Sequence, residues 1–260
     1  MRIIGKTIKC EIKKMYKVII SPPFGNYLHF KNATSVIGSL TLHKRKGAVK
    51  QFLKTFRFYK GGFVNKIGLR NSGIESLAKK DFSYYDNKIV SLAVVADLEW
   101  NGLASYVKNF HKKGFNPMML ELNISCPNVN HRVSDVSYII KKFSDIGIKL
   151  CLKLPPFETS INIIDVALQN GVTTFHLSNT IPSGRGGVSG SLLKKESLKL
   201  ISLVREKFGD KIEIIGGGGI YSTEDIDLYK NAGADIFSIS TIVIKNPFKI
   251  KSIIRKSLSL

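Results

Sequence analysis

The sequence predicts an α/β protein whose strands close into a (β/α)8 barrel, with residues 1–260 forming one domain. Short apolar runs alternate with amphipathic stretches of about 10–15 residues, the rhythm of parallel strands joined by crossover helices. Eight such strands can be counted, from Tyr16–Ile20 to Ile236–Ile239. The 260 residues, 43% of them hydrophobic, match the roughly 250 residues of a closed barrel around one core.

Each element has its own warrant. After a basic, hairpin-like start, Tyr16–Ile20 reads as a strand that runs into SPPFGNY, where Pro22, Pro23 and Gly25 mark a turn. Ser35–Leu42 is the second strand, followed by the basic segment HKRKG. Gln51–Phe63 reads as a loop rich in aromatics and Lys, leading to the tight NKIGLRNSG of Asn65–Gly73. Ile89–Ala96 is a strand, and Trp100–Lys113 a helix that Gly114 ends. In Met118–Asn128 alternation sets Leu120, Leu122 and Ile124 against Glu121, Asn123 and Ser125, and Pro127 forces the chain out of the sheet. Helix Val133–Asp145, strand Lys149–Leu154, helix Ile161–Gln169 and strand Thr173–Leu177 follow. After helix Leu193–Lys207, strand Ile212–Ile215 breaks into Gly216–Gly219. Ser222 caps helix Thr223–Asn231, with Glu224 and Asp225 favourable in its first turn. Strand Ile236–Ile239 and helix Phe248–Ser257 close the series.

Composition narrows the setting. No stretch approaches the roughly 18 apolar residues of a spanning helix, and the N-terminus has no signal-peptide core, so no membrane association is expected. Cys10, Cys126 and Cys151 form no CxxC pair and no metal-ligand spacing, which fits a reducing cytoplasm. The net charge of +21 suits a polyanion such as nucleic acid. The basic residues are nevertheless spread along the chain, with no basic run interleaved with aromatics. A nucleic-acid partner therefore stays open without being favoured.

In a barrel of this kind, chemistry collects at the C-terminal ends of the strands. Every unusual polar or glycine-rich motif falls there. Asn65 follows strand two, and Asn123, Cys126 and Asn128 follow strand four. Lys153 ends strand five, and Ser178, Asn179 and Thr180 end strand six. Gly216–Gly219 follow strand seven, and Ser240 and Thr241 strand eight. The glycine tetrad, a helix start and two hydroxyls read as a phosphate site; the plainer alternative is a tight turn. Gly186–Gly190 is a second glycine-rich loop, placed to lie over the same phosphate arm. Cys126 beside two carboxamides suits proton transfer on a planar polar heterocycle, although a free Cys is more often simply buried. Lys153, alone in the apolar CLKLPP, either faces an anionic or electron-rich group or snorkels outward.

ELNISCPN, KLPP, SNT, GGVSG, IIGGGGI and NKIGLRNSG resemble the dihydroorotate dehydrogenase family over most of the chain. The resemblance implies an FMN-containing barrel that oxidises dihydroorotate to orotate. It makes Cys126 the base that takes the C5 proton while hydride leaves C6 for the flavin. Cys rather than Ser at that position resembles the soluble class. Asn65, Asn123, Asn128, Asn179 and Thr180, with the backbone of Ile67, Gly68 and Leu69, would bind substrate. Lys153 would face the flavin ring. Ser39, Asn123, Gly187, Gly218, Gly219, Ser240 and Thr241 would complete the FMN site. A homodimer is expected by analogy, and the electron acceptor is open: fumarate, or NAD through a partner subunit. One departure stands out. Gly38, in VIGSLTLHKRKG, occupies the position where soluble members carry a Lys, with Lys44 and Arg45 the nearest substitutes. Two rival readings are a tRNA-dihydrouridine synthase and a flavin-binding barrel without this activity.

Overall fold

A computed structural model describes residues 15–59, 62–124, 136–184 and 186–260. Its strands, in chain order, are β1 (Val18–Ile20), β2 (Thr34–Leu40), β3 (Arg57–Tyr59), β4 (Gly62–Asn65), β5 (Ile89–Leu92), β6 (Met119–Asn123), β7 (Leu150–Leu154), β8 (Thr174–Leu177), β9 (Ile181–Ser183), β10 (Gly186–Gly190), β11 (Glu213–Gly217) and β12 (Ile236–Ile239). Eight of these form a closed parallel barrel in the order β1-β12-β11-β8-β7-β6-β5-β2. The fold is a (β/α)8 barrel. The basic N-terminal start lies outside the described residues.

Alternation along each strand divides the apolar residues into two cores. Leu120 and Leu122 of β6, Leu150, Leu152 and Leu154 of β7, and Phe175 and Leu177 of β8 point outward to the helices. Each such side chain contributes about 1.5–3 kcal/mol by leaving water. The intervening residues point into the barrel. There Ile19, Val36, Ile89, Met119, Cys151, Ile215 and Ile236 make a closed apolar layer, with Met15 packed against it. One step further along the same strands the inward residues turn polar: Ser21, Ser91, Glu121, Lys153, His176 and Ser238 are all buried.

The helices match their sequence signals. In α2 (Glu99–Lys112), Trp100, Leu103, Ala104, Val107 and Phe110 recur at helical spacing and are buried. The expected cap of α6 (Thr223–Asn231) is present as a capping box between Ser222 and Asp225.

Two expected loops are structured instead. Gln51–Phe63 contains the end of helix α1 (Ala48–Thr55), strand β3 and the start of β4. Gly186–Gly190 is not a loop but strand β10. It pairs antiparallel with β4, Gly187 opposite Asn65, in a small β3-β4-β10-β9 sheet. That sheet stands at the barrel rim, with Phe63 at 5.2 Å from both Phe56 and Phe58.

Candidate active site

One open cleft of about 150 Å³ lies where β1, β7, β8, β11 and β12 end and the small sheet meets the rim. Asn65, Ile67, Lys153, Asn179, Thr180, Gly218, Gly219, Ser240 and Thr241 all line it. The sequence thus brings nine expected site residues to a single cleft. Phe52, Phe56, Phe24 and Pro23 supply its apolar side.

The other expected residues fall elsewhere. Asn123 lies just behind the wall; its Oδ1 accepts from Asn179 Nδ2 at 2.8 Å, and its Nδ2 donates to Ser39 Oγ at 3.2 Å. Gly187 is held in β10 against Asn65. Gly68 and Leu69 do not line the cleft. They sit in a loop where Arg45 Nη2 donates to the Gly68 carbonyl at 3.2 Å and Asn71 Nδ2 to that of Leu69 at 2.6 Å. Cys126 and Asn128 lie outside the described residues.

The floor is ionic. Lys153 Nζ is 3.9 Å from Glu121 Oε1, and both side chains are almost wholly buried. Lys153 therefore points inward and does not snorkel. Glu121 also accepts from Ser91 Oγ at 2.7 Å and meets His176 Nδ1 at 2.6 Å. Burial pushes the Glu121 carboxyl up. The Lys153 charge, then His176 and the Ser91 hydrogen bond, outweigh it and bring it down to about 2. Burial and then Lys153 push the His176 imidazole below its ordinary value. Its Nε2 is buried with no partner among the described residues, and its Nδ1 donates to Glu121, since a carboxylate can only accept.

Sequence reasoning missed Ser91, Glu121 and His176 as site residues. The available signal was a polar residue at an inward position of an apolar strand: IVSL, LELN and TFHL.

The glycine cradle has the expected form. Gly218 and Gly219 have φ of +108° and +76°; a Cβ on Gly219 would lie 2.7 Å from Ser191 Cα and 2.8 Å from the Gly190 carbonyl oxygen. Only glycine lets the backbone sit there. Ser240 and Thr241 line the same cleft as the cradle, and Thr241 Oγ1 is 2.9 Å from Tyr221 Oη. The start of α6 contributes less than the sequence suggested. The N–H groups of Tyr221 and Ser222 donate to Asp225 Oδ2, and that of Asp225 to Ser222 Oγ. An anion here would rely on the glycines and hydroxyls, a donor set that fits a phosphate.

Gly38 is explained by its surroundings. Its φ is +129°, and a Cβ would lie 2.3 Å from the Ser91 carbonyl oxygen. Asn26 brackets it, donating to its carbonyl and accepting from its N–H, both at 2.8 Å. The strand is built for glycine at this point. Neither Lys44 nor Arg45 lines the cleft; Lys153 is the one basic side chain that does among the described residues.

The chain was compared with known proteins. A family model described as dihydroorotate dehydrogenase matches residues 24–259. The "Dihydroorotate dehydrogenase B (NAD(+)), catalytic subunit" of Alkaliphilus oremlandii is 31% identical over 216 residues, 72% of this chain and 68% of that protein. The protein of the same name from Bacillus cytotoxicus is 29% identical over 77% of this chain and 72% of its own length. A ligand-free DHODH structure from Eimeria tenella superposes with a TM-score of 0.71 over 94% of this chain and 83% of that one. At 17% identity it bears on the fold alone. With a match running almost end to end and a relative at 31% identity, the chain belongs to the dihydroorotate dehydrogenase family.

Proposed function

We propose that this chain oxidises dihydroorotate to orotate with bound FMN, as a step of pyrimidine synthesis. The observation that carries the reading is the cleft itself: Lys153, Asn65, Asn179 and the Gly218–Gly219 cradle all line it at the barrel's C-terminal rim. Relatives named as catalytic subunits of dihydroorotate dehydrogenase B support the substrate.

The residues divide the work. Gly218, Gly219, Ser240 and Thr241 would hold the ribityl phosphate, helped from behind by Gly187. Lys153, Ser39 and Asn123 would face the flavin ring. FMN, when bound, supplies an acceptor for the hydride leaving C6 of dihydroorotate. Asn65, Asn123, Asn128, Asn179 and Thr180 offer donors and acceptors to the carboxylate and ring amides, with Ile67, Gly68 and Leu69 shaping the approach. Cys126 takes the proton from C5, and the C5–H electron pair becomes the new C5=C6 bond. A thiol titrates near pH 8.5, so it is a weak base at neutral pH unless its surroundings tune it. Lys153 keeps its own counterion in Glu121, so the floor stays electrically balanced before an anion enters.

NAD is the final oxidant, reached through a second polypeptide; the relatives' names favour this over fumarate. No helix among the described residues is long and apolar enough to cross a membrane.

The test is direct. Purified protein reconstituted with FMN is mixed with dihydroorotate without oxygen. Bleaching of the flavin absorbance with formation of orotate is expected. A protein that holds FMN and stays yellow would overturn the reading.

A further inference from the structure

Behind the cleft wall a chain of hydrogen bonds runs from the carboxamides to the buried carboxylate. Its direction follows from chemistry. A carboxylate can only accept. Ser91 Oγ has one proton and spends it on Glu121 Oε1 at 2.7 Å, so toward Ser39 Oγ at 2.9 Å it must accept. Ser39 is then the donor in that pair, and it accepts from Asn123 Nδ2 at 3.2 Å. This turns Asn123 Oδ1 the other way, where it accepts from Asn179 Nδ2 at 2.8 Å. Asn179 Oδ1 in turn accepts from the Thr180 N–H at 2.9 Å. Every donor points toward Glu121.

The two ends differ in strength. Thr180 is only half-buried, so water can replace Asn179 as the partner of its N–H. Glu121 is fully buried, and an acceptor there left without donors is costly. The deep end is the firm anchor. His176 and Lys153 hold the carboxylate in place from its other sides.

We propose that Glu121 is a positioning residue: through Ser91 and Ser39 it fixes which side of the Asn123 and Asn179 carboxamides donates and which accepts toward the substrate. This rests on the reading of both asparagines as substrate contacts. Glu121 itself touches no substrate. Its effect is to remove the amide flips that would otherwise present the wrong edge to a ring of alternating N–H and C=O groups.

Two variants test it in the FMN-loaded protein. Ser91→Ala cuts the chain while leaving Glu121, His176 and Lys153 untouched. Glu121→Gln puts a group that both donates and accepts at the anchor. Selective ¹⁵N labelling of asparagine reports the Asn179 side-chain amide, assigned by its loss in Asn179→Asp, and titration reports orotate affinity. The expected result is a shifted or doubled Asn179 amide signal, four links from Glu121, and about tenfold weaker orotate binding in both variants, with FMN absorbance retained. An unchanged Asn179 signal in Ser91→Ala, or orotate affinity within about twofold of wild type, would overturn the proposal. If the wild-type protein binds no orotate, the functional reading fails, and the amide spectra still decide whether Glu121 sets the carboxamides. Should Glu121→Gln not fold, Ser91→Ala carries the test alone.

Discussion

Lys153 Nζ and Glu121 Oε1 lie 3.9 Å apart on adjacent strands, buried together beneath an open cleft. Neither group could be stable there alone, because an isolated buried charge costs several kcal/mol. Lys153→Met should therefore destabilise the protein by about 3–5 kcal/mol, since it strands the carboxylate. The double variant Lys153→Met with Glu121→Gln should recover most of that loss, while FMN binding stays impaired. Urea unfolding of Lys153→Met, Glu121→Gln and the double variant measures the loss and its recovery, and flavin fluorescence on dialysis measures FMN binding. Additive losses would mean that the two groups do not act as a pair.

The same floor sets a pH dependence of stability. The Glu121 carboxyl is lowered from 4.5 to about 2. The unfolded chain therefore binds the proton more readily. The stabilisation is present above pH 4.5 and is lost as pH falls from there toward 2, amounting to about 3 kcal/mol at most. His176 is also lowered, so its contribution is present above pH 6.5 and fades as pH falls below it. Urea midpoints between pH 7 and pH 3 should fall in two stages, and His176→Asn should flatten the upper one. A midpoint that does not move down to pH 4 would contradict this.

Gly219→Ala places a Cβ 2.7 Å from Ser191 Cα at a φ of +76°. The backbone must shift out of the phosphate cradle. FMN affinity should fall by at least about tenfold, with a stability loss of about 1–3 kcal/mol. Flavin fluorescence on dialysis and a melting curve read the two separately.

Gly38→Lys should not install an extra cation in the cleft. The new Cβ would meet the Ser91 carbonyl oxygen at 2.3 Å, in a conformation only glycine accepts readily. A destabilisation of about 2 kcal/mol or more is expected, with no gain in orotate affinity. Tighter orotate binding in a stably folded Gly38→Lys protein would refute this.

Cys126→Ala should slow bleaching by dihydroorotate by about 10²- to 10⁴-fold without discharging FMN, and Cys126→Ser should lose less at high pH. Stopped-flow absorbance decides it; equal rates would remove Cys126 as the base.

Much of this was readable from residue order because strands and helices have different periods. LELN, LCLKL and TFHL each alternate, which sets Glu121, Lys153 and His176 apart from the apolar residues beside them but leaves open which face of each strand turns inward. What alternation cannot give is which inward residues face each other, since that depends on barrel closure and strand stagger. The Glu121–His176 contact spans 55 positions and was invisible for this reason. The small sheet was hidden for another. Its strand GGVSG is nearly featureless, and its partner lies more than a hundred residues earlier, at Gly62–Asn65. Glycine read locally means a turn; here three of them let two backbones pair beside a ligand cleft. Gly38 looked like a missing cation, and only the Asn26 clamp and the Ser91 carbonyl reveal a strand that has no room for one.

The greasy plug of Ile19, Val36, Ile89, Met119, Cys151, Ile215 and Ile236 has an electrical consequence. It works as an insulator across the bottom of the cylinder, so neither ions nor solvent screen the Lys153–Glu121 dipole from below. With solvent excluded below, that pair's field reaches the cleft, which Lys153 lines, through a low-dielectric interior. Carving the plug with Ile→Ala changes would let water in by the back door and weaken that field without touching a single polar residue.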